Sequence, residues 1–136
     1  MKREIKFRVW DNVDYMSSAF TLNDLQTKKI GFTKDCIIMQ YTGLKDKNGV
    51  EIYEGDILSN GLGINKVCKY GEYRVKRFMN GDLSNDRVHL GFYLHNTAYD
   101  RKIQGDTIYY EEECIVINDT FKVIGNIHEN PNLLTN

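Results

Sequence analysis

A chain of 136 residues is enough for one domain, which at this size buries roughly 65 to 70% of its unfolded surface without staples. Eighteen Lys and Arg against nineteen Asp and Glu leave a net charge of -1, which excludes a global field toward nucleic acid or anionic lipid. A hydrophobic share of 41%, with nine Tyr and six Phe, excludes a disordered chain.

The N-terminus alternates, with Ile5, Phe7 and Val9 on one face and Glu4, Lys6, Arg8 and Trp10 on the other, as a half-buried strand requires. Residues 11–14 turn the chain. Tyr15 to Leu22 fits a returning strand, while Asn23-Asp24-Leu25-Gln26 fits the cap of a short helical turn, and the pattern leaves both open. Met39 to Leu58 reads as strand, turn, strand, turn, strand, with Asn48-Gly49 supplying the positive φ angles of a two-residue hairpin. Asn60-Gly61-Leu62-Gly63 and Gly71 then punctuate two strands, Asn65 to Tyr70 and Tyr73 to Met79, before a polar loop over 80–86. Val88 to Leu94 and Ile108 to Ile117 follow, joined by a polar connection around Asp100 to Asp106. A last strand, 121–127, is stopped at Pro131.

Many short strands with Gly and Asn punctuation predict a mostly β, antiparallel fold with little helix, a β-rich α+β chain that curls into a small SH3-like barrel built around Met39–Leu58. One domain is expected over 1–136, with an N-terminal β lobe at 1–36, the barrel at 37–131 and a tail at 132–136. No apolar run approaches the roughly 20 residues of a membrane span, and the start Met1-Lys2-Arg3-Glu4 leads into no signal-peptide core, so a cytoplasmic location without membrane contact is expected.

Reactive groups do not converge. Cys36, Cys68 and Cys114 have neither disulfide nor Cys-x-x-Cys spacing and read as buried free thiols. His89 and His95 share a strand face, but six extended residues set them about 20 Å apart, so even with Asp86 nearby they read as hydrogen-bonded surface histidines and not as zinc ligands. Glu111-Glu112-Glu113 point alternately to opposite faces and, with Asp119, read as a solvated edge and not as an acid and base pair. Asp46 and Asp56 stand in turns and are expected to accept local amides. Gly55-Asp56 and Gly61-Leu62-Gly63 open no helix that would receive a phosphate. The cysteines and Ser17, Ser18, Ser59 and Ser84 sit in no nucleophile motif. No catalytic, cofactor-binding or metal-binding residue is therefore assigned.

The strongest local charge feature is Lys66, Lys69, Arg74, Lys76 and Arg77 against Glu72 alone, interleaved with Tyr70, Tyr73 and Phe78. Cations and aromatics on one sheet can neutralise phosphates and stack bases, which makes Lys66, Lys69, Tyr70, Tyr73, Arg74, Lys76 and Arg77 the candidate residues of a single-stranded nucleic-acid interface. The competing reading is a solvated strand face over a packed aromatic one, since alternation sets Arg74 and Lys76 opposite Tyr73, Val75 and Arg77.

Three blocks, Ile5-Lys6-Phe7-Arg8-Val9-Trp10-Asp11, Met39 to Asp46 continuing through Tyr53-Glu54-Gly55-Asp56-Ile57, and Val123 to Pro131 with Leu133-Leu134, together resemble the YopX-like family of phage and prophage proteins. The resemblance covers about a third of the chain by motif and nearly its full length by order. It implies a β-rich barrel with a tendency to oligomerise, and it brings no catalytic residues. The sequence departs from the family pattern between Arg77 and Asp106, where a shorter connection is more usual. The expected function is that of a non-enzymatic phage or prophage accessory protein, a homo-oligomeric interaction module with a host or phage protein partner. The alternative is the single-strand binder. A small hydrolase acting on a metabolite is a third class, requiring a cleft with converging ionisable groups.

Overall fold

The computed structural model describes residues 3–62, 65–75, 87–96, 102–104, 107–109 and 113–134, by backbone alone at 74, 75, 87, 96, 102–104, 107–109 and 113. The expected positions Lys76, Arg77, Phe78, Ser84, Asp86, Glu111 and Glu112 lie outside these residues. The described chain is mostly β, with two main antiparallel sheets, one separate hairpin and almost no helix.

The first sheet has the order β1 (Phe7–Trp10), β2 (Ile37–Lys45), β3 (Glu51–Tyr53). Isolated bridges from Phe7 to Phe20 and from Trp10 to Met16 line the other side of β1, so the returning segment pairs only at points. The helical alternative wins at α1 (Leu22–Gln26). Its N-cap is Thr21, whose hydroxyl accepts from the Asp24 amide while the Asp24 carboxylate accepts from the Thr21 amide, a reciprocal cap that satisfies two otherwise orphaned donors. The strict alternation expected of β1 fails at its end. Val9 and Trp10 are both buried, because the C-terminal turn covers the second face and His128 stacks on the Trp10 ring at 5.6 Å.

The β2–β3 hairpin also departs from the expected two-residue turn. Gly49 has φ 81° but Asn48 is not in the left-handed region. The Gly49 amide donates to the Asp46 carbonyl at 3.0 Å and the Asp46 amide to the Val50 carbonyl at 2.8 Å. That pattern is a three-residue loop with a single left-handed glycine. The Asp46 carboxylate selects it by accepting from the Asn48 and Val50 amides at 2.8 and 2.9 Å.

The second sheet has the order β10 (Lys122–Asn126), β4 (Asp56–Ser59), β5 (Lys66–Val75), β6 (Arg87–Asn96), β9 (Glu113–Ile115). Gly71 does not divide β5. It faces Gly91 inside an unbroken antiparallel register from Val67 opposite His95 to Val75 opposite Arg87, the two glycines taking φ 155° and 152°, positive values that glycine adopts without breaking the ladder. Of the single strand expected over Ile108 to Ile117, the described residues form β8 (Thr107–Tyr109), paired with β7 (Lys102–Gln104), and β9, paired with β6. The last strand ends at Asn126, ahead of a turn over 127–129, and Pro131 opens a 3-10 turn, Pro131–Leu134.

The core is Ile52, Leu58, Cys68, Leu94 and Phe121, with Phe92, Ile115, Ile117 and Val123 packed against it. No closed barrel is found among the described residues. β9 and β10 are the edges of an open five-stranded sheet, and the β3–β4 turn hands the chain from one sheet to the other without pairing them. Of the cysteines only Cys68 is buried, with Cys36 and Cys114 half-buried. Burial pushes the Cys68 thiol far up, which keeps it an inert core residue.

Candidate functional site

The blocks that carry the family resemblance, distant in sequence, meet in one polar hub between the two sheets. Arg8 on β1 ion-pairs with Asp56 at the start of β4, and its guanidinium lies 4.7 Å from the centre of the Tyr53 ring. The second Asp56 oxygen accepts from the Tyr53 amide at 2.8 Å, so the carboxylate ties the β3–β4 turn to β1. Between them Gly55, at φ 82°, donates to the Cys68 carbonyl on β5 and accepts from the Ile127 amide. The Glu54 amide and carboxylate both bind the Gln40 backbone on β2. Tyr53-Glu54-Gly55-Asp56 is thus the joint of the fold.

The third block closes the hub from below. The Asn126 side chain accepts from the His128 and Glu129 amides at 3.0 and 2.8 Å, and the Asn130 side-chain Oδ1 accepts from the Asn126 backbone amide at 3.2 Å. Gly125 is required there, since a Cβ would lie 2.6 Å from Asn130 Oδ1 and 2.9 Å from Leu133 Cδ1. Around the rim, Lys6 ion-pairs with Glu51 and Glu4 and sits 5.0 Å over the Tyr41 ring. These ion pairs hold the Lys6 amine well above its usual range, against some loss of solvation.

The electrostatics suit a structural centre. Burial is the largest influence on Asp56 and raises its carboxyl despite Arg8 beside it. Burial likewise pushes the Tyr53 phenol up to about 12 and, with Arg8 nearby, lowers His128. Asp56, Arg8 and Tyr53 border a shallow depression of about 320 Å³ with Ala19, Val50, Glu51 and Val123.

Asp46 reaches further than its turn. Besides the local amides, its second oxygen accepts from Val123 on β10 at 2.8 Å, bolting the hairpin to the five-stranded sheet. Burial works against ionisation, but the Val123, Val50 and Asn48 amides together hold this carboxyl below its usual range. A carboxylate depressed in the fold contributes stability that is present above the unfolded pKa and is lost as the pH falls through the folded one. Asp46→Asn is therefore expected to cost about 2 kcal/mol at neutral pH and to flatten the acid limb, as urea titrations between pH 2 and 7 will measure.

The proposed nucleic-acid residues are divided by the pleat. Lys69 and Tyr73 share one face of β5, whereas Lys66 and Tyr70 fall, by alternation, on the other, with the Arg74 backbone in register there. Lys69 and Tyr70 are exposed, Tyr73 is half-buried and Lys66 is buried. On the Lys69 face Tyr73 stacks on His89 at 5.2 Å and on Tyr93 at 4.7 Å, across the Gly71 and Gly91 positions. His95 closes this row edge-on to Tyr93 and is itself buried, which corrects its reading as a surface histidine. The physical reason is its place at the root of the ladder, where β9 covers β6.

Among the described residues no group of three His, Cys, Asp or Glu is placed to hold a metal, and no helix is long and apolar enough to cross a membrane. A groove of about 470 Å³ runs under the N-terminal segment past Tyr15, Ser17, Phe20, Lys29, Phe32 and Cys36. Its Ser17 hydroxyl is already engaged by the Val9 amide and Ser18 carbonyl, and Asp24 by the helix cap. Sequence reasoning did not single out Arg8, Trp10 or His128, whose partners are remote, or Asn126, which bonds within its own turn. Their one signal was position inside the blocks of resemblance.

A family model described as YopX protein matches residues 13–135. Among solved structures the chain is similar to one described as the crystal structure of protein EF1440 from Enterococcus faecalis, at 23% identity and a TM-score of 0.43, with 98% of this chain and 99% of that chain covered. No curated protein matches.

Proposed function

The chain belongs to the YopX family, and from that premise we propose that it is a non-enzymatic phage or prophage accessory protein acting in the bacterial cytoplasm as a homo-oligomeric interaction module. The observation that carries this reading is the face of β5 and β6 that continues outward from the core. Cys68 and Leu94 are buried on it, Phe92 is half-buried, and then Tyr70, Val88 and Leu90 stand 55%, 48% and 74% exposed. Exposed Glu72 stands opposite Leu90 on the same face, so the patch is mixed, and its apolar part beyond the core is surface that another protein can cover. The joint at Arg8 and Asp56 is spent on architecture, which agrees with an absence of chemistry.

Light scattering coupled to size-exclusion chromatography tests the proposal. Mass is expected to exceed that of the single chain across the micromolar range, and a strictly monomeric species overturns it. The second reading, single-strand binding, is favoured by one feature, the exposed Lys69 beside the Tyr73, His89 and Tyr93 rings. Fluorescence anisotropy with labelled oligonucleotides separates the two, because phosphate-driven binding appears at low salt and weakens steeply as salt rises.

A further inference from the structure

We propose that Asn60, in the loop between β4 and β5, is a self-modifying residue, converted with time to aspartate and isoaspartate by attack of the Gly61 nitrogen on its side chain. Asparagine precedes glycine at Asn48-Gly49, Asn60-Gly61 and Asn80-Gly81, the last of which lies outside the described residues. Glycine is what this chemistry needs. It places no side chain beside the attacking nitrogen and leaves the backbone free to rotate toward the neighbouring carbonyl. Between the two described sites the fold decides.

At Asn48 the fold resists. The Gly49 amide donates to the Asp46 carbonyl at 3.0 Å, and a carbonyl has no proton of its own to pass on. The Asp46 carboxylate also ties this turn to the Asn48, Val50 and Val123 amides, so rotation there breaks the bonds that hold the hairpin. At Asn60 the same groups are disposed for reaction. The Gly61 amide donates to the Ser59 hydroxyl at 3.1 Å, which can take a proton and release its own to water. The Asn60 Oδ1 accepts from the Leu62 amide at 2.9 Å, which puts a donor on the oxygen where negative charge develops. Gly61 and Leu62 are exposed to water. Pairing of β4 stops at Ser59 opposite Lys122 and at Leu58 opposite Lys66, so this loop turns without losing a strand pair.

The step needs only water. The Gly61 nitrogen gives up its proton and bonds to Asn60 Cγ, the side-chain nitrogen takes up a proton and leaves as ammonia, and a five-membered succinimide ring remains. Water then adds to one of the two ring carbonyl carbons that flank the Gly61 nitrogen. Opening at Cγ yields aspartate in an ordinary chain, and opening at the backbone carbon yields isoaspartate, whose main chain is one methylene longer. Either product adds one negative charge to the loop. Because residues 60–62 lie outside the ladder, the modified chain keeps its sheets, and the product accumulates on the folded protein.

Peptide mapping by mass spectrometry tests this on the whole chain, held folded near neutral pH and, in parallel, unfolded in urea. In the folded chain the peptide containing Asn60 is expected to gain about one dalton, the difference between ammonia lost and water gained, before the peptide containing Asn48 does. In urea the two sites are expected to react at similar rates. Ser59→Ala is expected to slow the folded reaction about tenfold, a modest share of what a positioned proton acceptor supplies, and to leave the rate in urea unchanged. Asn60→Gln, whose longer side chain would have to close a six-membered ring, is expected to lose the gain at this position. An Asn60 that stays intact in the folded chain, or an Asn48 that reacts first, overturns the proposal, as does a Ser59→Ala rate equal to that of the parent chain.

Discussion

Asp56→Ala is expected to destabilise the fold by about 3 to 5 kcal/mol, since removing one partner of a buried ion pair leaves an uncompensated charge behind. The carboxylate is 1% exposed, and its loss also frees the Tyr53 amide and unties the β3–β4 turn from β1. Urea unfolding measures the loss. Joint replacement by Arg8→Met and Asp56→Leu is expected to cost clearly less than the sum of the single changes, because it removes the buried charge with its partner. An additive result would mean that the pair contributes nothing as a pair.

Asp56 and Asp46 are expected to respond oppositely to acid. Burial raises the Asp56 carboxyl above its unfolded value, so folding binds its proton more readily. Its contribution to stability therefore falls as the pH rises through the window between the unfolded and folded values. Asp46 is depressed and loses its contribution as the pH drops. Of the two, Asp46 with its bond to Val123 is therefore the one expected to weaken the fold in acid.

Ile52→Ala is expected to cost about 2 to 5 kcal/mol, the range for a large-to-small change in a packed core. Ile52 is completely inaccessible and touches the cluster of Leu58, Cys68, Leu94 and Phe121, which joins strands of both sheets. A cavity there loosens β3 from the five-stranded sheet, and thermal unfolding is the measurement. A cost near zero would mean that the two sheets do not share this core.

The three blocks of resemblance were legible, yet their purpose was not. Asp46 was correctly read as accepting local amides, because Asn48 and Val50 are within four residues of it, but its bond to Val123 crosses most of the chain. His95 read as a surface histidine because β6 alternates cleanly, and only pairing with β9 showed that its end is covered. Barrel closure was not legible for a related reason, since it depends on whether edge strands meet and no local pattern records that.

What the residues by themselves determined was the class of the chain and the places where it turns. Period-two hydrophobicity, Gly and Asn punctuation and one proline act over a few residues, so strands such as Ile37–Lys45 and Lys122–Asn126 could be read directly. Tertiary structure alone decided that Arg8 meets Asp56, that Trp10 meets His128, and that β9 pairs with β6 over His95. Those outcomes depend on which distant strands are hydrogen-bonded neighbours, and the energy that selects them is released only when remote segments bury one another's surface and charge.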